Sequence, residues 1–180
     1  MKTMLKSMGM RKNKIPNDLL PLFENIVQIY NGDECEEKFM KAMQEHLTKE
    51  QRFRICEQNG SCSGSAHDKE RKAFALKHAD KSLAERLEIF TDTFGRTAVL
   101  NDDQTITVTF TCKHGYYKHA PKGKFRFTES IETYFERCAG GRLYEYQKAL
   151  GIKLKIKSVD VSSLEDNIVN PVVFTFEIVD

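Results

Sequence analysis

The sequence predicts an α+β domain in which N-terminal helices pack on a small C-terminal antiparallel sheet. Three observations carry this. Apolar residues recur at helical spacing up to about Phe94, the period changes to two from Thr97 onward, and each alternating stretch has one wet and one dry face. Helices grouped before strands argue against a doubly wound sheet. The chain has 180 residues, 40% hydrophobic and 30% charged, the size and composition of one globular domain. We divide it into a basic tail (1–15) and a single domain (16–180), with a helical part (16–95) and a sheet-containing, ligand-binding part (96–180).

The tail carries Lys2, Lys6, Arg11, Lys12 and Lys14 with no acid. It reads as a solvated end or as a docking arm for an anionic partner. Pro16 opens an expected helix to about Tyr30, with Phe23, Ile26 and Val27 on one stripe, and Asn31-Gly32 stops it. A second helix spans about Asp33–Leu47. Its Cys35 lies among Glu34, Glu36 and Glu37, acids that raise a thiol pKa, so it is the cysteine expected to react least. Thr48-Lys-Glu-Gln51 is a capping box opening a short helix with Phe53, Ile55 and Cys56. Further helices are expected over about Ala66–His78 and, from the box Ser82-Leu-Ala-Glu85, to about Phe94 with Gly95 as its stop. His46, His67 and His78 read as surface residues.

Thr97–Asn101 is an expected strand, and Asn101-Asp102-Asp103 a turn. Thr105–Thr111 alternates, with Ile106, Val108, Phe110 and Cys112 on one face. Leu154 and Ile156 oppose lysines, and Phe174, Phe176 and Ile178 repeat the pattern.

Five cysteines without a secretory signal read as thiols or ligands, and a cytoplasmic location is expected. The candidate site gathers Cys56, Cys62, Cys112, His114 and Cys138. Thiolate and imidazole together suit a soft metal, zinc or iron, although Cys-x5-Cys and Cys-x-His are not standard zinc spacings. The same groups could form a nucleophile and base, Cys112 or Cys138 with His114, and Glu145 adds an acid or base. The bland alternative is that cysteines pack as small hydrophobes. Gly140 and Gly141 interrupt a helical pattern, so either a helix restarts there or something approaches the backbone closely, as tight helix packing would. A restart would give Gly140, Gly141 and Arg142 an anion site at a helix N-terminus. Arg142 and Glu145 could equally form a surface pair.

The stretch Lys113–Phe127 holds Lys113, Lys118, Lys122, Lys124 and Arg126 without an acid, interleaved with Tyr116, Tyr117, Phe125 and Phe127. This composition suits a solvated lid or one attracting an anionic small molecule. With a net charge of only +2, nucleic acid is the weakest reading. No apolar run is long enough to span a bilayer, so no membrane partner is expected.

Cys138-Ala-Gly-Gly-Arg-Leu-Tyr-Glu145, Ala149-Leu-Gly-Ile-Lys-Leu-Lys-Ile156 and Phe174-Thr-Phe-Glu-Ile178 together resemble the ending of 4-vinyl-reductase-type ligand-binding domains. They are also similar to bacterial cysteine-containing proteins related to L-2-amino-thiazoline-4-carboxylate hydrolases. The resemblance implies a helical layer over an antiparallel sheet, with a small-molecule pocket near Cys112, His114 and Cys138. It departs at Ser163–Pro171, where those families often carry a Gly-Asp…Cys element and this chain has no cysteine. The functions expected are a small-molecule- or metal-binding domain, a thiol-dependent hydrolase of a small carboxylate, or an interaction protein without a site.

Overall fold

A computed structural model describes residues 15–58, 67–111, 128–162 and 171–179. Helices α1 (Leu20–Ile29), α2 (Gly32–His46), α3 (Lys49–Gln58), α4 (Asp68–Lys77) and α5 (Leu83–Phe94) precede strands β1 (Thr97–Leu100) and β2 (Thr105–Phe110). A short 3-10 turn, Thr128–Ser130, leads into α6 (Ile131–Leu150), followed by β3 (Lys153–Asp160) and β4 (Val172–Val179). The fold is α+β, as the switch of period predicts.

The sheet is antiparallel throughout, in the order β1-β2-β4-β3. Its dry face carries Ile106, Val108, Phe174, Phe176, Leu154 and Ile156, all buried. The wet face carries Thr109, Glu177, Lys153 and Lys155. The alternation placed each of these on its side because a strand turns successive side chains to opposite faces. A register shift between Ile156 and Ser158 interrupts the β3–β4 ladder.

Helix α6 organises the molecule. It packs on β3 and β4, and α2, α3, α4 and α5 pack around it. Most of its 20 residues are buried, so it behaves as a core helix and not as a surface one. Its low amphipathicity in the sequence follows from being covered on several sides.

Local signals set most boundaries. Thr48 and Gln51 form their box, with Gln51 Oε1 accepting from the Thr48 N–H at 2.8 Å and Thr48 Oγ1 from the Gln51 N–H at 3.3 Å. Ser82 and Glu85 form theirs, and Gly95 ends α5 in the left-handed region at φ +57°. Helix α1 begins a turn later than expected. Pro21 occupies its first turn, while the Pro16 carbonyl accepts from the Leu19 and Leu20 N–H groups upstream.

The outer edge of β3 is covered from the helical layer. The Leu154 N–H donates to Gln147 Oε1 at 2.9 Å, and the Ile156 N–H to Glu57 Oε1 at 2.7 Å. These bonds occupy donors that an unpaired strand edge would offer to another chain. Burial pushes the Glu57 carboxyl up, and the bond from Ile156 only partly offsets this.

Candidate functional site

Helix α6 is continuous from Ile131 to Leu150, so no helix begins at Gly140. The expected anion site at a helix N-terminus is therefore corrected. What approaches is the backbone of α3. A Cβ built on Gly140 would lie 2.1 Å from the Cys56 carbonyl oxygen and 2.6 Å from its carbonyl carbon. The glycine lets two helices close to backbone contact. Gly141 is also buried within α6.

This crossing brings Cys56 and Cys138 into the core, where both are buried and outside any disulfide. Burial, with a further push from Glu136, raises the Cys56 thiol well above its ordinary range. That thiol stays protonated at neutral pH and is a poor nucleophile. Cys35 is buried against the Ile26 carbonyl, and burial first, then Glu36, pushes it up. The sequence reading named only the acids as the cause, whereas burial comes first, and Cys56 is pushed up as well. Cys62, Cys112 and His114 lie outside the described residues, as does the basic stretch Lys113–Phe127. Among the described residues, no three His, Cys, Asp or Glu side chains stand together as a metal site requires.

Glu145 and Arg142 do meet, but not at the surface. Arg142 Nη1 lies 2.5 Å from Glu145 Oε2, and both side chains are largely buried. Two further arginines converge on the same carboxylate. Arg71, from α4, pairs with Glu145 Oε1, and Arg96, between α5 and β1, reaches the same oxygen at 3.1 Å. Three guanidiniums thus face one carboxylate. Burial alone would raise the Glu145 carboxyl, yet Arg142, Arg96 and Arg71 outweigh it and hold the group below its ordinary value. Glu145 is a fixed carboxylate and does not serve as an acid at neutral pH.

Aromatic rings hold the arginines in place. The Arg71 guanidinium lies 3.6 Å from the Phe94 ring centroid, and that of Arg142 lies 5.4 Å from the Phe110 ring. Phe110 ends β2, two residues before Cys112. Phe90 packs edge-on against Tyr146 at 4.9 Å. Burial first, then the Glu145 charge, pushes the Tyr146 phenol up, so it remains an O–H donor. Among the described residues, Arg71 Nε and Nη1, Arg96 Nε, Arg142 Nε and the Tyr146 hydroxyl are buried without a hydrogen-bond partner.

Sequence reasoning named Arg142 and Glu145 and missed Arg71 and Arg96. Arg71 shares a helical stripe with Phe74 and His78, and an arginine on an apolar stripe is a signal of buried charge. His78 itself is a correction. It is buried at the end of α4, its ring 4.6 Å from Phe74, and not on the surface. Nothing in the sequence around Arg96 marks it beyond its place after a helix stop.

A second buried pair joins α3 to α6. Arg52 donates through Nε and Nη2 to the two oxygens of Glu136 at 2.7 and 2.9 Å, and through Nη1 to the Leu47 carbonyl at 3.1 Å. This pair is bidentate, which marks it as structural, and Arg52 Nη2 also lies 3.7 Å from the exposed Glu132 carboxylate. The Glu145 cluster has the opposite excess, three guanidiniums to one carboxylate.

No protein-family model, curated protein or solved structure matches this chain. Among the described residues, no helix is long and apolar enough to cross a membrane.

Proposed function

We propose that this chain is a small-molecule-binding domain whose ligand is anionic and engages the arginine cluster around Glu145. The observation that carries the reading is the charge imbalance: three guanidiniums against one carboxylate leave two positive charges in a mostly buried setting. Buried charge is costly unless paired, and unpaired buried donors add to the cost. An anion would relieve both. Arg96, whose side chain is 34% exposed, is the member through which the cluster meets solvent. The sequence that follows Thr111 adds five basic residues and no acid before Thr128, so its composition offers no counter-charge.

The zinc or iron reading needs Cys112 and His114 beside Cys56, Cys62 and Cys138, the thiol-hydrolase reading needs His114 with Cys112 or Cys138, and no observation among the described residues favours either. Buried, protonated Cys56 fits packing better than chemistry.

The test is a thermal-shift series at constant ionic strength with acetate, succinate, citrate, sulfate and phosphate. A ligand at a hundred times its Kd stabilises by about 2.7 kcal/mol. In a chain of this size that corresponds to about 5–10 °C. The gain should shrink in Arg96→Met. If no anion raises the Tm, the reading fails.

A further inference from the structure

The same cluster constrains the chemical class of the anion, an inference that rests on the anion-binding reading above. We infer that it receives a dianionic phosphoryl group, as found in a phosphate monoester, in preference to a carboxylate.

Charge is the first argument. Guanidinium groups stay protonated at any physiological pH, so the cluster keeps two positive charges beyond what Glu145 neutralises. A carboxylate would leave one of them uncompensated. A phosphate monoester is a dianion above its second pKa of about 6 and cancels both.

Geometry is the second. A planar carboxylate is matched by the in-plane fork of a single arginine. Glu145 already engages the cluster, its Oε1 accepting terminal N–H groups from Arg71 and Arg96 and its Oε2 forming an ion pair with Arg142 without a hydrogen bond. The donors left over are Arg71 Nε and Nη1, Arg96 Nε and Arg142 Nε, each buried without a partner among the described residues. They come from three separate elements: α4, the α5–β1 junction and α6. Donors arriving from three elements need acceptor oxygens out of a single plane, which a tetrahedral phosphoryl group has and a carboxylate lacks.

Tyr146 is the third. Its side chain is fully buried, its hydroxyl has no partner among the described residues, and Glu145, Arg96, Arg142 and Arg71 all act on it electrostatically. It supplies a neutral donor beside the guanidiniums. A phosphoryl oxygen can accept from it, so Tyr146 adds a contact without adding charge.

The deciding experiment is calorimetric titration of the full chain at low ionic strength and at about pH 8.5, above the second pKa of a phosphate monoester (about 6) and of inorganic phosphate (about 7). The probes are inorganic phosphate, methyl phosphate, dimethyl phosphate and acetate. Inorganic and methyl phosphate, both dianions, should bind at least about tenfold tighter than dimethyl phosphate and acetate, both monoanions, a difference of about 1.4 kcal/mol. Arg142→Met should abolish the preference. Because Arg142 is buried and its loss could unfold the chain, Arg96→Met serves as the second variant, and it should weaken methyl phosphate at least about tenfold while the protein still unfolds cooperatively. Tyr146→Phe should weaken both dianions while leaving the rank order intact. If acetate binds as well as methyl phosphate, the phosphoryl inference is overturned and the anion-binding reading stands. If no probe binds, both are overturned. If methyl phosphate binds Arg96→Met as tightly as the unaltered protein, the anion sits elsewhere and both are overturned at this site.

Discussion

Replacing Gly140 with alanine should lower stability, although alanine is the better helix former. The new Cβ would lie 2.1 Å from the Cys56 carbonyl oxygen, and a real Cβ essentially never comes within 3.0 Å of such an atom. The obstacle is helix backbone, so no rotamer change can move it aside, and α3 and α6 must separate. Overpacking of this kind costs about 1–3 kcal/mol, and the rigid neighbour places Gly140→Ala near the upper end. Helix propensity returns about 1 kcal/mol. The net loss is about 2 kcal/mol, or a Tm lower by about 4–8 °C in a chain of this size. Urea unfolding should show the same loss as a lower midpoint with an unchanged slope. Propensity and packing predict opposite signs here. A variant as stable as the parent, or more stable, would refute the backbone contact between α3 and α6.

Arg52→Met should cost about 3–5 kcal/mol by stranding the buried Glu136 carboxylate, and adding Glu136→Leu should recover most of it; urea denaturation of the single and double variants measures both. Glu145 is held below the ordinary glutamate range by Arg142, Arg96 and Arg71, which outweigh its burial, so the unfolded chain binds its proton more tightly. Its contribution is present above about pH 4.5 and lost as pH falls through the folded value; Glu145→Gln should flatten that acid limb in a pH series of denaturation midpoints. Glu57→Ala should cost about 1 kcal/mol by leaving the Ile156 N–H without its acceptor, and that amide should exchange faster with deuterium, whereas Glu57→Gln keeps both near the parent values. Cys35, Cys56 and Cys138 should resist a thiol reagent in the folded protein at neutral pH and all react in denaturant, as peptide mapping would show.

The α+β class, the two capping boxes and the inward faces of β2, β3 and β4 were legible because their causes are local. A cap acts within one turn, and a strand alternates residue by residue, so neighbours in sequence carry the signal. The sequence also raised the right question at Gly140 and Gly141, offering a restarted helix or a close approach. It could not choose, because the answer is the Cys56 carbonyl on another helix. Likewise it paired Arg142 with Glu145, three residues apart, but put the pair at the surface. Arg71 and Arg96 meet the same carboxylate from 74 and 49 residues away. No local pattern reports whether distant helices bring like charges together, since that depends on how α4, α5 and α6 pack. His78 reads as polar in sequence and is buried for the same reason. The chain by itself determined which segments are helices and strands and which faces are dry. Only the tertiary packing decided that three positive charges surround one negative one, because burial and charge pairing are properties of assembled elements and not of any one segment.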